Sequence, residues 1–354
     1  MELWIGAVNL GFLYAFMTMG VFITFRIHDF PDITVDGSFT SGAAAAAVLL
    51  AAGFDPLTAL GAAFLIGAVA GCVTAIINTR FKVNGLLAGI LVMTALYSIN
   101  LHIMGRSNIP LLNRKTLFSW LAAMNPGLHI EVWNLLALAL LMAAFWFLAA
   151  FFFKTDFGIA MRVTGSNPTM ASANGVNVTG MTIFGVALAN GLVGLSGALV
   201  AQYQGFADIG MGIGTVVIGL AAVIIGESVL KTNSMLVRVL SVIVGSIIFR
   251  LMIAFALYVG MNPIDLKLLT AVFVFLTLVI SKSVADGKGP TKLVQQIAAA
   301  LANKKIRQGA FGAIVVAGIL FAGYRFIPSD SSIPPKAFTI GCVQLTDNEL
   351  LNIT

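Results

Sequence analysis

Charge is scarce in this sequence. Only 10% of its residues are Asp, Glu, Lys or Arg, whereas a soluble domain carries roughly 25%, so an ordinary water-soluble globule is excluded. Cysteine is nearly absent. Cys72 sits inside an apolar run and Cys342 lies far from it, which leaves no disulfide framework and no metal-ligand spacing. The three histidines, His28, His102 and His129, are scattered without a nucleophile or base at catalytic spacing, so the chain does not read as an enzyme. A Walker A run is missing too, since "GESVLK" at 226–231 does not fit GxxxxGK[ST]. The N-terminus lacks a basic leader and a cleavage site, and its first residues read as a retained span rather than a removed signal peptide.

What the sequence has is apolar surface: 59% of the residues are hydrophobic, with a mean hydropathy of +1.00. Crossing the hydrocarbon takes about 20 apolar residues. The expected fold is therefore an all-α membrane protein of about ten transmembrane helices, at 3–25, 39–53, 57–78, 85–104, 133–153, 181–203, 214–230, 235–259, 266–281 and 309–326. The second and ninth of these are short. A formal charge of +6 would suggest nucleic acid only if it clustered on a soluble face. The basic residues instead fill short gaps between apolar runs, the pattern of topology signals. With the N-terminus outside, the inner loops hold thirteen of the twenty, including Arg26, Arg80, Lys154, Arg162 and the cluster from Lys282 to Arg307. That orientation places both termini outside and the polar segment 157–178 on the inner face.

Five spans precede that segment and five follow it, so the halves run antiparallel. Each half carries a Gly/Asp-rich break before its second span, "DITVDGSFTSGAAAAA" at 32–47 and "GFADIGMGIGTVVIGL" at 205–220. Glycine-interrupted segments at matching positions are the sign of a 5+5 inverted repeat with discontinuous helices. The outer loop 105–132 is the longest; Trp120 in it and Trp133 at its edge suit an interface. The basic stretch 286–308 can form an amphipathic helix on anionic lipid.

In the segment "FGIAMRVTGSNPTMASANGVNV", Asn167 and Pro168 form a helix start and Gly175 a stop. The helix between them is about two turns long, too short to stand alone in water. It reads either as a docking element for another protein or as an ordinary turn. The segment resembles the coupling loop of permease subunits of ATP-binding-cassette importers, in the branched-chain amino acid/ribose permease superfamily. Phe157, Gly158, Ala160, Arg162, Thr164, Gly165, Asn167, Pro168, Ala171, Gly175 and Val176 match its pattern. The likeness extends through 34–44, 81–112 (where it is to an uncharacterised, amino-acid-associated subgroup) and 188–227, covering residues 1–285. It implies a permease dimer, simplest as a homodimer, in a bacterial inner membrane. It also implies separate ATPase subunits that bind ATP and Mg, with no cofactor in this chain, and a periplasmic binding protein that delivers the solute.

Ionisable and polar residues within spans are functional candidates. For the translocation path these are Asp36, Gly37, Ser38, Asn100, Asp208 and Arg250. Asp36, with Asp29 and Asp32 beside it, reads better as part of a solvated inner loop, and Asp208 reads equally as path or outer loop. Arg250 suits an anionic solute group, a carboxylate partner or snorkelling to the interface. Glu227 is expected to pair with Lys231 four residues on. After the permease domain (1–285) and the basic segment come an extra span at 309–326 and a tail at 327–354. "KAFTIGCVQL" followed by "TDNELL" resembles the strand and helix that begin a periplasmic binding domain, which implies a permease joined to the start of its own binding protein. The cargo reads as an amino acid or related compound, with a sugar or nucleoside as the alternative. An ion-driven secondary transporter is the rival mechanism, and it would need carboxylates at mid-membrane.

Overall fold

The computed structural model describes residues 2–258 except 113, 125–129 and 231–233, together with 260, 270, 271 and 274. It is almost wholly helical. α1 (Glu2–Phe22) runs into a π-helical turn at Ile23–Ile27, and α2 (Thr34–Ala51), α3 (Pro56–Phe81) and α4 (Gly85–Met104) follow. A short strand β1 (Asn108–Pro110) and helix α5 (Leu117–Met124) lead to α6 (Ile130–Phe152). Two short helices, α7 (Asp156–Ser166) and α8 (Pro168–Ala173), precede α9 (Val178–Gln204), β2 (Phe206–Asp208), α10 (Thr215–Val229) and α11 (Met235–Tyr258). Among the described residues seven helices are long and apolar enough to cross a membrane, and α10 is a shorter apolar one. The expected spans 266–281 and 309–326 lie outside the described residues apart from 270, 271 and 274, as do the basic segment 286–308 and the tail 327–354.

The second span departs from expectation. It begins at Thr34, not Phe39, and is a full 18 residues long. The stretch read as a break at 32–47 is therefore mostly helix, and the non-helical backbone lies just before it, at 28–33. The shortened helix is α10, whose glycine-rich approach at 205–214 does interrupt the helical run. The long loop 105–132, read above as outer, carries regular structure among its described residues. β1 pairs antiparallel with β2, Asn108 opposite Asp208, and Trp133 donates its indole N–H to the Leu121 carbonyl at 2.6 Å.

Small residues decide the packing. Along α2, the run Ala43–Ala47 is buried, and glycines on its neighbours let backbones touch. A Cβ on Gly42 would run into the Gly194 carbonyl of α9, and one on Gly197 would strike the Phe39 carbonyl of α2. α2, α3 and α9 thus form one tight group with α4 on its flank, and α1, α10 and α11 form another, joined along α1–α9 and α2–α10. Lipid tails are as apolar as leucine, so van der Waals contact and hydrogen bonding rather than hydrophobic exclusion hold such helices together. The outward faces of α3, α4 and α6 carry exposed Leu65, Val69, Leu91, Leu140, Phe147 and Leu148, as a lipid-facing surface requires.

Candidate functional site

At one end of the bundle, the polar segment folds as a pair of capped helices. The Thr155 hydroxyl accepts from the Gly158 N–H at 3.3 Å to start α7, and the Asn167 side chain accepts from the Met170 N–H at 2.9 Å to start α8. Pro168 occupies the first turn of α8. Gly175 ends the turn at φ +80°, where a side chain would be strained, and Asn177 caps α9 through the Gly180 N–H at 3.0 Å. The expected two-turn helix is present, preceded by α7, which the sequence reading did not anticipate.

Within this pair only Ala171 and the α7 residues Gly158, Met161 and Thr164 are buried. Phe157 is partly exposed and packs edge-on against Phe184 with ring centroids 4.8 Å apart. Val176 is half-buried, while Asn167, Pro168 and Met170 face outward. Gly158 lies against the Phe152 carbonyl, and Gly165 presses on the Ile27 carbonyl at the end of the π-turn. α7 therefore rests directly on the terminus of α1. Arg162 is exposed beside a cavity of about 780 Å³ whose polar lining also includes Arg26, Asp29, Glu227 and Arg238.

Arg26 and Glu227 form an ion pair across that cavity, joining α1 to α10. Glu227 thus has a partner 201 residues away in sequence that local spacing does not suggest, and the expected pair with Lys231 falls on a residue outside the described ones. The side chains are 55% and 24% exposed, so water screens the attraction. Glu227→Gln is expected to change stability by less than about 1 kcal/mol, measured as the melting temperature of the purified protein at low and high salt.

The interior holds a second polar cluster, and here the reading of Asp36 is overturned. Asp36 is buried in the first turn of α2, and its carboxylate accepts from the Gly214 N–H (2.8 Å), the Val216 N–H (2.9 Å) and the Thr215 hydroxyl (2.9 Å). α10 has no side-chain cap of its own, so Asp36 caps it from a different helix. An anion is favoured at a helix N-terminus, and this carboxylate serves two, those of α2 and α10. One turn earlier, Asp32 does the same locally by accepting from the Thr34 N–H at 2.8 Å. Its second oxygen accepts from Asn190 Nδ2 at 2.6 Å, and Asn190 Oδ1 accepts from the Ser38 hydroxyl at 2.7 Å. Asn190 stands twelve residues into α9, about 18 Å along it at 1.5 Å per residue. The loop before α2 thus reaches roughly halfway along α9.

The remaining candidates divide. Asn100 is buried, donating to the Gly37 carbonyl at 3.4 Å while its own Oδ1 has no partner, and Gly37 lets α4 close on α2 at Leu96 and Met93. Asp208 is placed in the ribbon, where it accepts from the Gly210 N–H at 2.8 Å. That is a role within the loop, where its own side chain orders the turn that leads to α10. Arg250 lies in α11 with its guanidinium carbon 3.5 Å from the centre of the Tyr14 ring. Sequence reading missed the Asp32–Asn190–Ser38 chain. Its signal was available in one polar residue, Asn190, inside the apolar run "GVALANGLVGL".

Long apolar helices packed on glycine and alanine, with a polar, capped interior and a small paired-helix platform at one end, define a multi-pass membrane protein of the transport class. The comparisons make this particular. The chain belongs to the branched-chain amino acid transport system / permease component family, whose profile matches residues 4–281. It is 40% identical over 294 residues to a tyrosine transport system permease protein of Clostridioides difficile (strain R20291), covering 83% of this chain and 96% of that one. It is 32% identical over 282 residues to an uncharacterised protein of Rickettsia prowazekii (strain Madrid E), covering 78% and 97% respectively. No solved structure matches the chain. It is thus a permease of the ATP-binding-cassette type associated with amino acid transport.

Proposed function

We propose that this chain forms the translocation path of an ATP-driven amino acid importer and receives its driving motion through α7 and α8. The observation that carries the reading is the platform itself: a short helix capped at both ends, exposed except at Ala171, whose partner helix bears on α1 through Gly165. A helix this short needs an external surface to hold it, and a separate ATPase supplies both that surface and the energy. A periplasmic binding protein delivers the solute to the opposite face, and two copies of the chain make the permease of an inner membrane, with the N-terminus outside. Tyrosine is the first cargo to test, because the 40% identical relative is named for it. On this reading 336–354 begins a binding domain joined to the same chain.

The secondary-transport alternative gains little from the buried acids. Asp32 and Asp36 lie deep in the bundle, but both oxygens of each are committed to donors of the protein's own. The test is co-purification in detergent with the ATPase of the same system. The native chain is expected to hold the ATPase. Arg162→Glu is expected to weaken that binding at least tenfold, and Gly165→Pro to abolish stimulated ATP hydrolysis. Uptake by the chain alone under an ion gradient would reverse the assignment.

A further inference from the structure

Arg250 is costly where it stands. An arginine in the interior of a membrane span is expected to pair with an acid, to reach for the interface or to serve function, and two of these are answerable from geometry. Among the described residues no carboxylate contacts it, and its Nε is buried without a hydrogen-bond partner. Snorkelling would carry the guanidinium toward Tyr258, the nearer end of α11, about 12 Å away at 1.5 Å per residue. The side chain goes the other way. Ser246 donates to the Gly11 carbonyl at 2.8 Å, and Gly11 packs on Ile247, which fixes the antiparallel register of α1 and α11. Tyr14 lies three residues past Gly11, toward the Met235 end, so Arg250 reaches back along its helix to lie on that ring. Helical side chains do tilt toward their own N-terminus, and here the tilt takes the charge deeper.

Tyr14 is itself buried and stacks on fully buried Phe39 of α2, with ring centroids 5.5 Å apart. Phe39 is three residues beyond Asp36, whose carboxylate fixes the start of α10. The guanidinium of α11 thus sits over an aromatic stack that joins α1 to α2. Its planar fork is suited to a carboxylate, and a cation on an aromatic face keeps its hydrogen-bond donors free for another group.

We infer that Arg250, positioned on Tyr14, binds the carboxylate of the solute as it passes through the permease. This rests on the amino acid importer reading above and deepens it by naming the recognised group. The test uses the full chain in proteoliposomes with the ATPase and binding protein of the same system, following radiolabelled tyrosine and an amino acid mixture. Arg250→Gln is expected to lower uptake at least tenfold while ATP hydrolysis stimulated by loaded binding protein stays within twofold of wild type. Arg250→Lys, which keeps the charge but loses the fork, is expected to recover part of the uptake. Uptake by Arg250→Gln within twofold of wild type overturns the inference, as does a parallel fall of uptake, ATP hydrolysis and melting temperature, the mark of a structural role. Wild-type protein that hydrolyses ATP yet carries no amino acid overturns the importer reading instead, and the inference with it.

Discussion

Asp36→Ala is expected to lower the melting temperature of the detergent-purified protein by several degrees and to abolish uptake. The substitution removes the acceptor for the Gly214 and Val216 N–H groups and the Thr215 hydroxyl. The Val216 N–H and the Thr215 hydroxyl are buried and the Gly214 N–H partly so; at about 1–3 kcal/mol for each buried group left without a partner, the two buried ones set the loss at about 2–6 kcal/mol. The electrostatic part adds to this, because the carboxylate also faces the N-terminal end of a helix dipole. Asp36→Asn separates the two contributions. It keeps an acceptor oxygen of similar shape but loses the charge and one acceptor, and its melting temperature is expected to fall between those of wild type and Asp36→Ala. Thermal unfolding followed by tryptophan fluorescence decides the matter. A melting point for Asp36→Ala within a degree of wild type would mean that the interior start of α10 does not depend on this residue.

Gly42→Leu and Gly197→Val are expected to be worse still, yielding little or no folded protein in the membrane. Their Cβ atoms would collide with backbone carbonyls, of Gly194 and Phe39 respectively, and backbone within a helix cannot step aside as the end of a side chain can. Overpacking a well-filled interior commonly costs about 1–3 kcal/mol even where side chains adjust. Here α2 would have to leave α9, taking with it the Ser38–Asn190 bond and the buried alanine face of α2. Gly53→Leu is the matched control, since no atom lies within 4 Å of its Cβ position, although its φ of +90° makes a milder local cost certain. Membrane-fraction yield and size-exclusion profile provide the readout. A monodisperse Gly42→Leu protein at wild-type yield would refute the close approach of α2 and α9.

The parts legible in the sequence were those written locally. Apolar runs gave most of the long helices to within a few residues, and Asn167, Pro168 and Gly175 marked both ends of α8 because caps act within one turn. The resemblance carried by 157–178 and 188–227 identified the class, and the family match bears it out. What stayed hidden involves partners far apart in the chain. Asp36 looked like one acid among three in a loop; its donors are 178 to 180 residues away. Glu227 had a plausible neighbour at i+4, and local spacing has no way to rank that neighbour against Arg26 on another helix. The ribbon joining Asn108 to Asp208 was invisible for the same reason, since three residues of strand leave almost no periodicity to detect.

The π-turn at Ile23–Ile27 carries a consequence of another kind. A π-turn holds one residue more than the α-turn it replaces, so it works as a phase shifter between the buried length of α1 and the tip that bears Arg26 and meets Gly165. Deleting one residue from 23 to 27 other than Arg26 would let the turn relax to ordinary α geometry with the residues beyond it kept in place, whereas a further insertion would swing them by about 100°, the angle between successive residues at 3.6 per turn. This end of the helix therefore absorbs the loss of one residue more easily than the gain of one, and the contact of its tip with Gly165 is what a gained residue would break.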